Sequence, residues 1–530
     1  MKINEKSNVI ILGFLSVLAF FTNIGLRPAT LMEARNFITA REMVESGNYL
    51  VTTLNGNLRF EKPPLPTYFT ALVMKITGNM QDEWLLRIPV AVVGVITILF
   101  IYFLVKELTK NSRLSFLSGF VAVTTFMIIK IGNENSWDFY TYAFALGGVL
   151  FFVRGLKRDS LVNFLISGIF VGLSFMSKGP VGIYGLMLPF FIGHIFVYGI
   201  EEYKRNYKKI ILMIVISIVV GGLWWFLIYL EYGDIPLQVV KKEERTWSNS
   251  HVKSIFYYLD YFIYMGVWIV FSLATYKRDW VARISEDKKY SRFVFIWQVL
   301  VIIALSVIKM KKKRYGIPIY ITSILEIGII CNYFYNRTWE SLKRYERYLI
   351  YLQKYFLIAL SLVIPILLFF KGYSKNLVTK NYMFLIALLF LSFALILIKI
   401  SKTKLNKVVI LGSGFLMLIV NLTVNSFFDK QSNRNIFNLT LDKNYSNIEE
   451  VQKNPPKYNI YSDNYEIEDV WRVGKKINDY NLNEELPNKI VFFNEIPEGL
   501  LENYRVLKED IYIKDDRKLA KLTYLEKMED

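Results

Sequence analysis

The chain has 530 residues, 53% of them apolar, and 64 Lys plus Arg against 45 Asp plus Glu give a formal net charge of +19. The charge is clumped: residues 9–26 and 383–398 carry none, and apolar runs of about 18 residues can cross a bilayer core of about 30 Å. This excludes an ordinary soluble enzyme, a disordered tail protein and a single-anchor receptor. One cysteine, Cys331, and two histidines, His194 and His251, exclude a disulfide framework, a thiolate zinc site and a multi-histidine metal centre. The cations sit in short clusters between apolar spans, the pattern of membrane loops, which argues against nucleic acid as a partner.

In chain order, the first apolar run, 9–26, reads as a retained span. It is longer than a secretory core, and no small-x-small cleavage site precedes Arg27. Twelve more candidate spans lie near 86–105, 114–131, 138–153, 161–177, 180–199, 209–230, 255–274, 293–309, 315–335, 348–370, 382–400 and 407–427. The predicted fold class is therefore mainly α, a polytopic membrane protein of about 13 helices. With the N-terminus inside, the even-numbered spans end in loops rich in Lys or Arg, such as 276–292 and 337–347, as cation retention requires. The odd-numbered spans end outside. The predicted division is a transmembrane domain, 1–427, including a first outer loop, 27–85, and an extracytoplasmic domain, 428–530. Turn signals at Pro455, Pro456, Pro487 and Pro497 and β-rich runs at 489–493 and 505–513 make that tail a small α/β unit.

The outer segments hold the chemistry-bearing residues. Leu31, Ala34, Phe37, Ile38 and Val44 recur at helical spacing and predict an amphipathic helix lying on the membrane surface. Glu33 stands at its start, where Thr30-x-x-Glu33 also fits a capping box, and Arg35 follows. In Glu61-Lys62-Pro63-Pro64 the prolines hold an acid–base pair in extended geometry. Asp138 sits where the third and fourth spans meet, and Lys178 between the fifth and sixth. Glu243, Glu244 and His251 lie in the next long outer segment. Then Lys309, Lys311, Lys312, Lys313 and Arg314, with Tyr315 beside them, place five cations in six residues on the side that retention disfavours. Carboxylates facing cations at a lipid–water boundary suit transfer of a group from a lipid phosphate. Cations hold the phosphate and take up charge as it departs, and a carboxylate orients or deprotonates the acceptor. A phosphate leaving group needs no general acid.

The ordered segments MEAR, SGNYLVTTLNGNLRFEKPPLPTYFTAL, ENSWDF, GLSFMSKGPVG, HVKSIFYYL and SVIKMKKKRYGIPIY resemble the bacterial polyprenyl-phosphate-dependent glycosyltransferases of the glycosyltransferase C superfamily. The aminoarabinose lipid A transferases are nearest and the protein O-mannosyltransferases more distant. The resemblance runs over roughly 25–320. It implies inverting transfer of a sugar from undecaprenyl phosphate to lipid A, another glycolipid, a glycan or a protein, on the periplasmic face of the bacterial inner membrane. It makes Glu33 and Asp138 the catalytic carboxylates. Arg35, Glu61, Lys62, Lys178, Lys311, Lys312, Lys313, Arg314 and Tyr315 become substrate contacts, with Lys62 and Lys178 on the donor phosphate. Glu61 and His251 match positions that hold a metal ion in the aminoarabinose transferases, so a divalent ion is the one cofactor implied; otherwise His251 is an exposed loop histidine. The chain departs from the family at Met32, where the first acid of an Asp-Glu pair is expected.

Two other classes remain beside the transferase. A lipid or sugar transporter would place ionisable groups inside its spans, whose interiors here read as nearly clean. A noncatalytic assembly partner is the reading that Met32 motivates.

Overall fold

The computed structural model describes residues 5–249, 251–371, 379–425, 446–447, 456–481, 486–515 and 518–528. The Glu244 side chain and Pro455 lie outside the described residues. Two compact units emerge. One comprises 1–22, 61–65 and 90–425; the other comprises 23–60, 66–89 and 426–530.

The first unit is helical. Among the described residues of the chain, ten helices are long and apolar enough to cross a membrane, or eleven if one bent pair is a single span. They run from Glu83–Thr109 to Lys402–Thr423. The other expected spans fall on Glu5–Phe21, on that bent pair and on the shorter apolar helix Ile183–Tyr198. The pair, Ser112–Val123 and Phe126–Gly132, turns by 63°. Its break lies at Thr124 and Thr125, whose hydroxyls bond the carbonyls of Phe120 and Val121 at 2.5 and 2.7 Å. Local side-chain bonds of this kind compete with the helix ladder at its end. Run 255–274 is likewise interrupted, at Gly266, whose φ of 66° and ψ of −121° no helix accepts.

The second unit is built around a mixed sheet in the order Ser446–Asn447, Tyr504–Asp515, Lys518–Lys527, Lys489–Phe493, Asn459–Ser462, Ile477–Asp479. Alternation along Lys489–Phe493 serves both faces. Ile490 and Phe492 pack with Leu500, Tyr504 and Leu525. Val491 and Phe493 join a larger cluster with Trp471, Ile460 and Leu522.

That larger cluster corrects the surface-helix expectation. The helix forms as read, Leu31–Ser46, but Ala34, Phe37 and Ile38 are fully buried in protein. The Phe37 ring packs, tilted by 53°, 5.0 Å from the ring of Trp471 on helix Ile467–Val473. Most of its apolar stripe therefore has a protein partner, while Leu31 stays exposed at 39%. Asn55 adds a second tie: its amide bonds both the N–H and the C=O of Ile477, at 3.0 and 2.7 Å.

Candidate functional site

In the helical unit the site starts from an antiparallel hairpin. Helices Trp137–Arg158 and Leu161–Lys178 turn at Asp159 and Ser160, with arms of nearly equal length, so Asp138 at the start of one meets Lys178 at the end of the other. Small side chains let them approach: the hydroxyls of Ser167 and Ser174 bond the carbonyls of Gly148 and Thr141, each at 2.8 Å. Helix polarity favours an anion at the first position and a cation at the second. Gly179 ends the second arm at φ 68°, ψ −148°, a conformation reserved for glycine.

Lys178 donates to Asp138 in a buried ion pair. Its ammonium also stands 4.2 Å over the ring of Tyr315. Arg314 approaches from the turn before helix Ile317–Asn336. It bonds Glu134 at 2.9 Å and lies 3.9 Å from Asp138 Oδ2. That Oδ2 atom is buried and has no hydrogen-bond partner among the described residues. The same holds for the hydroxyl of Tyr142, one helical turn on, which lies within electrostatic reach of Asp138, Tyr258 and Tyr315. Lys62 completes the cluster. It pairs with Glu243 at 2.8 Å, and Glu243 lies within electrostatic reach of Tyr315. That partner comes from helix Ile235–Asn249, a contact that the Glu61-Lys62 spacing did not foretell.

The basic run divides its labour. Lys311 is buried and donates to the carbonyls of Ile308 and Lys253 at 2.6 and 3.3 Å; burial pulls its pKa down. Lys313 bonds both oxygens of Asp260, at 2.7 and 2.8 Å, and lies 3.7 Å over Tyr257. The Lys312 carbonyl accepts from Tyr258 at 3.3 Å. His251 is exposed at φ 50°, and its carbonyl accepts from Lys311 N–H at 3.2 Å. No three His, Cys, Asp or Glu side chains gather among the described residues. Glu61 and His251 would therefore give a metal ion at most two side-chain ligands, too few for a closed site.

Glu33 belongs to the other unit. It is fully buried, accepts from Arg87 at 2.7 and 3.1 Å and from Arg27 at 3.1 Å, and forms both arms of the Thr30 capping box. Burial alone would raise its pKa, but Arg27, Arg87 and the Thr30 N–H outweigh it and hold the carboxyl near 2. Glu83 extends the network to Arg87 at 3.1 Å and to Trp471 Nε1 at 2.9 Å. Such a carboxylate is a weak proton acceptor, which favours the capping alternative. Arg35 is half-buried; its Nε has no hydrogen-bond partner among the described residues, and its carbonyl accepts from Arg59 at 3.1 Å.

Sequence reasoning passed over Arg87, Tyr142 and Tyr258. Arg87 had a signal, since an arginine inside an apolar run is costly without a partner. Span interiors are also less clean than expected: Glu326 is buried within Lys313–Asn336, 3.6 Å from Arg278.

A helical membrane unit with a buried Asp–Lys pair and a half-buried Arg at its helix ends defines an integral membrane protein with a candidate anion-handling site. Residues 61–225 match the family model described as dolichyl-phosphate-mannose-protein mannosyltransferase. An uncharacterized protein of Aquifex aeolicus is 27% identical over 316 residues, 57% of this chain and 60% of the relative. The undecaprenyl phosphate-alpha-4-amino-4-deoxy-L-arabinose arabinosyl transferase of Yersinia enterocolitica is 22% identical over 343 residues, 60% of this chain and 58% of the relative. The matches thus span roughly half to three fifths of these curated relatives. The crystal structure of ArnT from Cupriavidus metallidurans bound to undecaprenyl phosphate shares the fold, with a TM-score of 0.70 at 15% identity over 97% of both chains. The chain is similar to the polyprenyl-phosphate-dependent glycosyltransferases of the glycosyltransferase C superfamily.

Proposed function

We propose that this protein transfers a sugar from a polyprenyl phosphate carrier to a lipid, glycan or protein acceptor at the outer face of the bacterial cytoplasmic membrane. The observation that carries the reading is Asp138, held between Lys178 and Arg314 with one carboxylate oxygen lacking a hydrogen bond among the described residues. The donor phosphate would draw Lys178 and Arg314 away from the carboxylate, with Lys62 exchanging Glu243 for the same anion. Asp138, so released, takes the proton of an acceptor hydroxyl as that oxygen bonds the anomeric carbon. The bond from that carbon to the phosphate oxygen breaks, its electron pair leaves with the phosphate, and the configuration inverts. The cations neutralise the departing charge. No metal ion enters this scheme. Lys311, Lys312, Lys313 and Tyr315 shape the loop that presents Arg314. Glu33 holds the first outer segment, with Arg35 beside it, rather than moving a proton.

Glu5–Phe21, the bent pair and Ile183–Tyr198 would complete thirteen spans. The transferase domain would be 1–427, its segments 23–60 and 66–89 grouping with the outer α/β domain, 428–530. The test is turnover of labelled polyprenyl-phosphate sugar by reconstituted protein, wild type against Asp138→Asn. New glycosidic bond formation that needs Asp138 supports the reading, and equal turnover by both overturns it. Met32 and the engaged Glu33 favour a second reading, an assembly partner without chemistry. Tight binding of polyprenyl phosphate with no product from any acceptor would favour that instead.

A further inference from the structure

A groove of about 780 Å³ opens in the helical unit between the end of the 255–274 segment and helix Arg344–Lys371. Its walls include Trp280, Tyr345, Tyr348, Leu352 and Tyr355, with Lys277 among them. The groove lies beside loops 276–292 and 337–347, which together hold ten Lys or Arg against five Asp or Glu. Cation retention assigns that end to the cytoplasm, opposite the Asp138 cluster. The two ends are chemically unlike. At the outer end, buried carboxylates balance the cations. Here an aromatic wall meets a cationic rim.

The aromatic wall is built rather than incidental. Glu346, 1% exposed, accepts from Trp280 Nε1 at 3.0 Å, the Tyr333 hydroxyl at 3.0 Å, the Tyr345 hydroxyl at 3.2 Å and the Lys343 N–H at 2.8 Å. One buried carboxylate thus fixes two rings that line the groove, and its charge is spent on those donors. Two cations contact the lining rings: Lys277, itself a lining residue, stands 4.6 Å over Tyr345, and Arg344, outside the lining, reaches the Tyr348 hydroxyl at 3.4 Å. An unanchored interfacial belt of tyrosines would need no such carboxylate beneath it.

We propose that this groove binds one anionic phospholipid of the cytoplasmic leaflet, with an acyl chain along Trp280, Leu352 and Tyr355 and the phosphate between Lys277 and Arg344. The charge complementarity selects the headgroup, and the apolar wall holds the chain. The site is independent of the sugar-transfer reading.

The test is native mass spectrometry of delipidated full-length protein titrated with phosphatidylglycerol or phosphatidylcholine. Wild type is expected to retain one phosphatidylglycerol in preference to phosphatidylcholine. Lys277→Gln and Arg344→Gln should each weaken that species about fivefold, with Lys277→Arg restoring it. Tyr348→Ala with Leu352→Ala should weaken both lipids alike. Lys407→Gln removes another cation–aromatic pair, 5.3 Å from Tyr335, and should change nothing. Equal retention of the two lipids by wild type, or equal loss in the Lys407 control, would overturn the site. Displacement by an equimolar polyprenyl phosphate would assign the groove to the carrier and overturn the phospholipid proposal.

Discussion

Glu33→Gln separates a structural carboxylate from a catalytic one. In the folded chain the carboxyl is held near 2, against 4.5 for a free glutamate. At 1.36 kcal/mol per unit, that gap is worth about 3 kcal/mol of folding stability at neutral pH. Breaking a buried ion pair gives a similar figure, about 3–5 kcal/mol, because Arg87 would keep an uncompensated charge. Glutamine preserves shape and can still accept one bond, so the lower value is the better expectation. For a unit of this size, that is a fall of about 6–12 °C in melting midpoint. The carboxyl's folded pKa is depressed, so its contribution is complete above about 4.5 and disappears as the pH falls toward 2. The assay is thermal unfolding of purified protein across pH 7 to 3, with turnover measured well below the melting midpoint. The expected result is a lower midpoint at pH 7, a gap between variant and wild type that narrows on acidification, and turnover per folded molecule within a few-fold of wild type. A variant that melts like wild type yet loses about a hundredfold in turnover would refute the structural assignment and restore Glu33 as a catalytic group.

Asp138→Asn should still fold and insert, with a lower melting midpoint because Lys178 loses its buried partner, and should lose about 10²–10⁴ in turnover, read by product formation well below that midpoint. Lys62→Gln should weaken donor binding about tenfold or more with a smaller effect on the bound complex's rate, since an anion contact made before reaction sets affinity; a saturation curve in donor separates the two. Chelation with excess EDTA should leave turnover within about twofold, and a greater loss restored by one divalent ion would reinstate Glu61 and His251 as ligands. Asn55→Ala should cost about 2 kcal/mol by removing two bonds to Ile477, seen as a lower midpoint with no change in donor affinity.

Much of the helical architecture was legible because long apolar runs report themselves, and the ten long helices follow the expected runs with ends shifted by a few residues. Strand Lys489–Phe493 was equally readable. The breaks were not: Thr124-Thr125 and Gly266 sit inside runs that are apolar enough overall to read as single spans. Asp138 and Lys178 could be brought together from equal hairpin arms, whereas Arg314 reaches them only through tertiary packing. The roles of Glu33 and its helix were hidden for a simpler reason. An amphipathic stripe says that something covers it, and the cover, Trp471, lies more than four hundred residues downstream.

That separation also sets an order of assembly. The helix Leu31–Ser46 leaves the ribosome early, while the strands and the short helix that enclose its apolar stripe are made last. Until synthesis ends, Phe37 and Ile38 have as cover in this unit early members of their cluster such as Ala71, Met74 and Leu86, without Trp471 and the sheet. The nascent chain must therefore shelter that stripe for most of its production, and a chain cut short before Trp471 would present a greasy surface for a protease or chaperone to find.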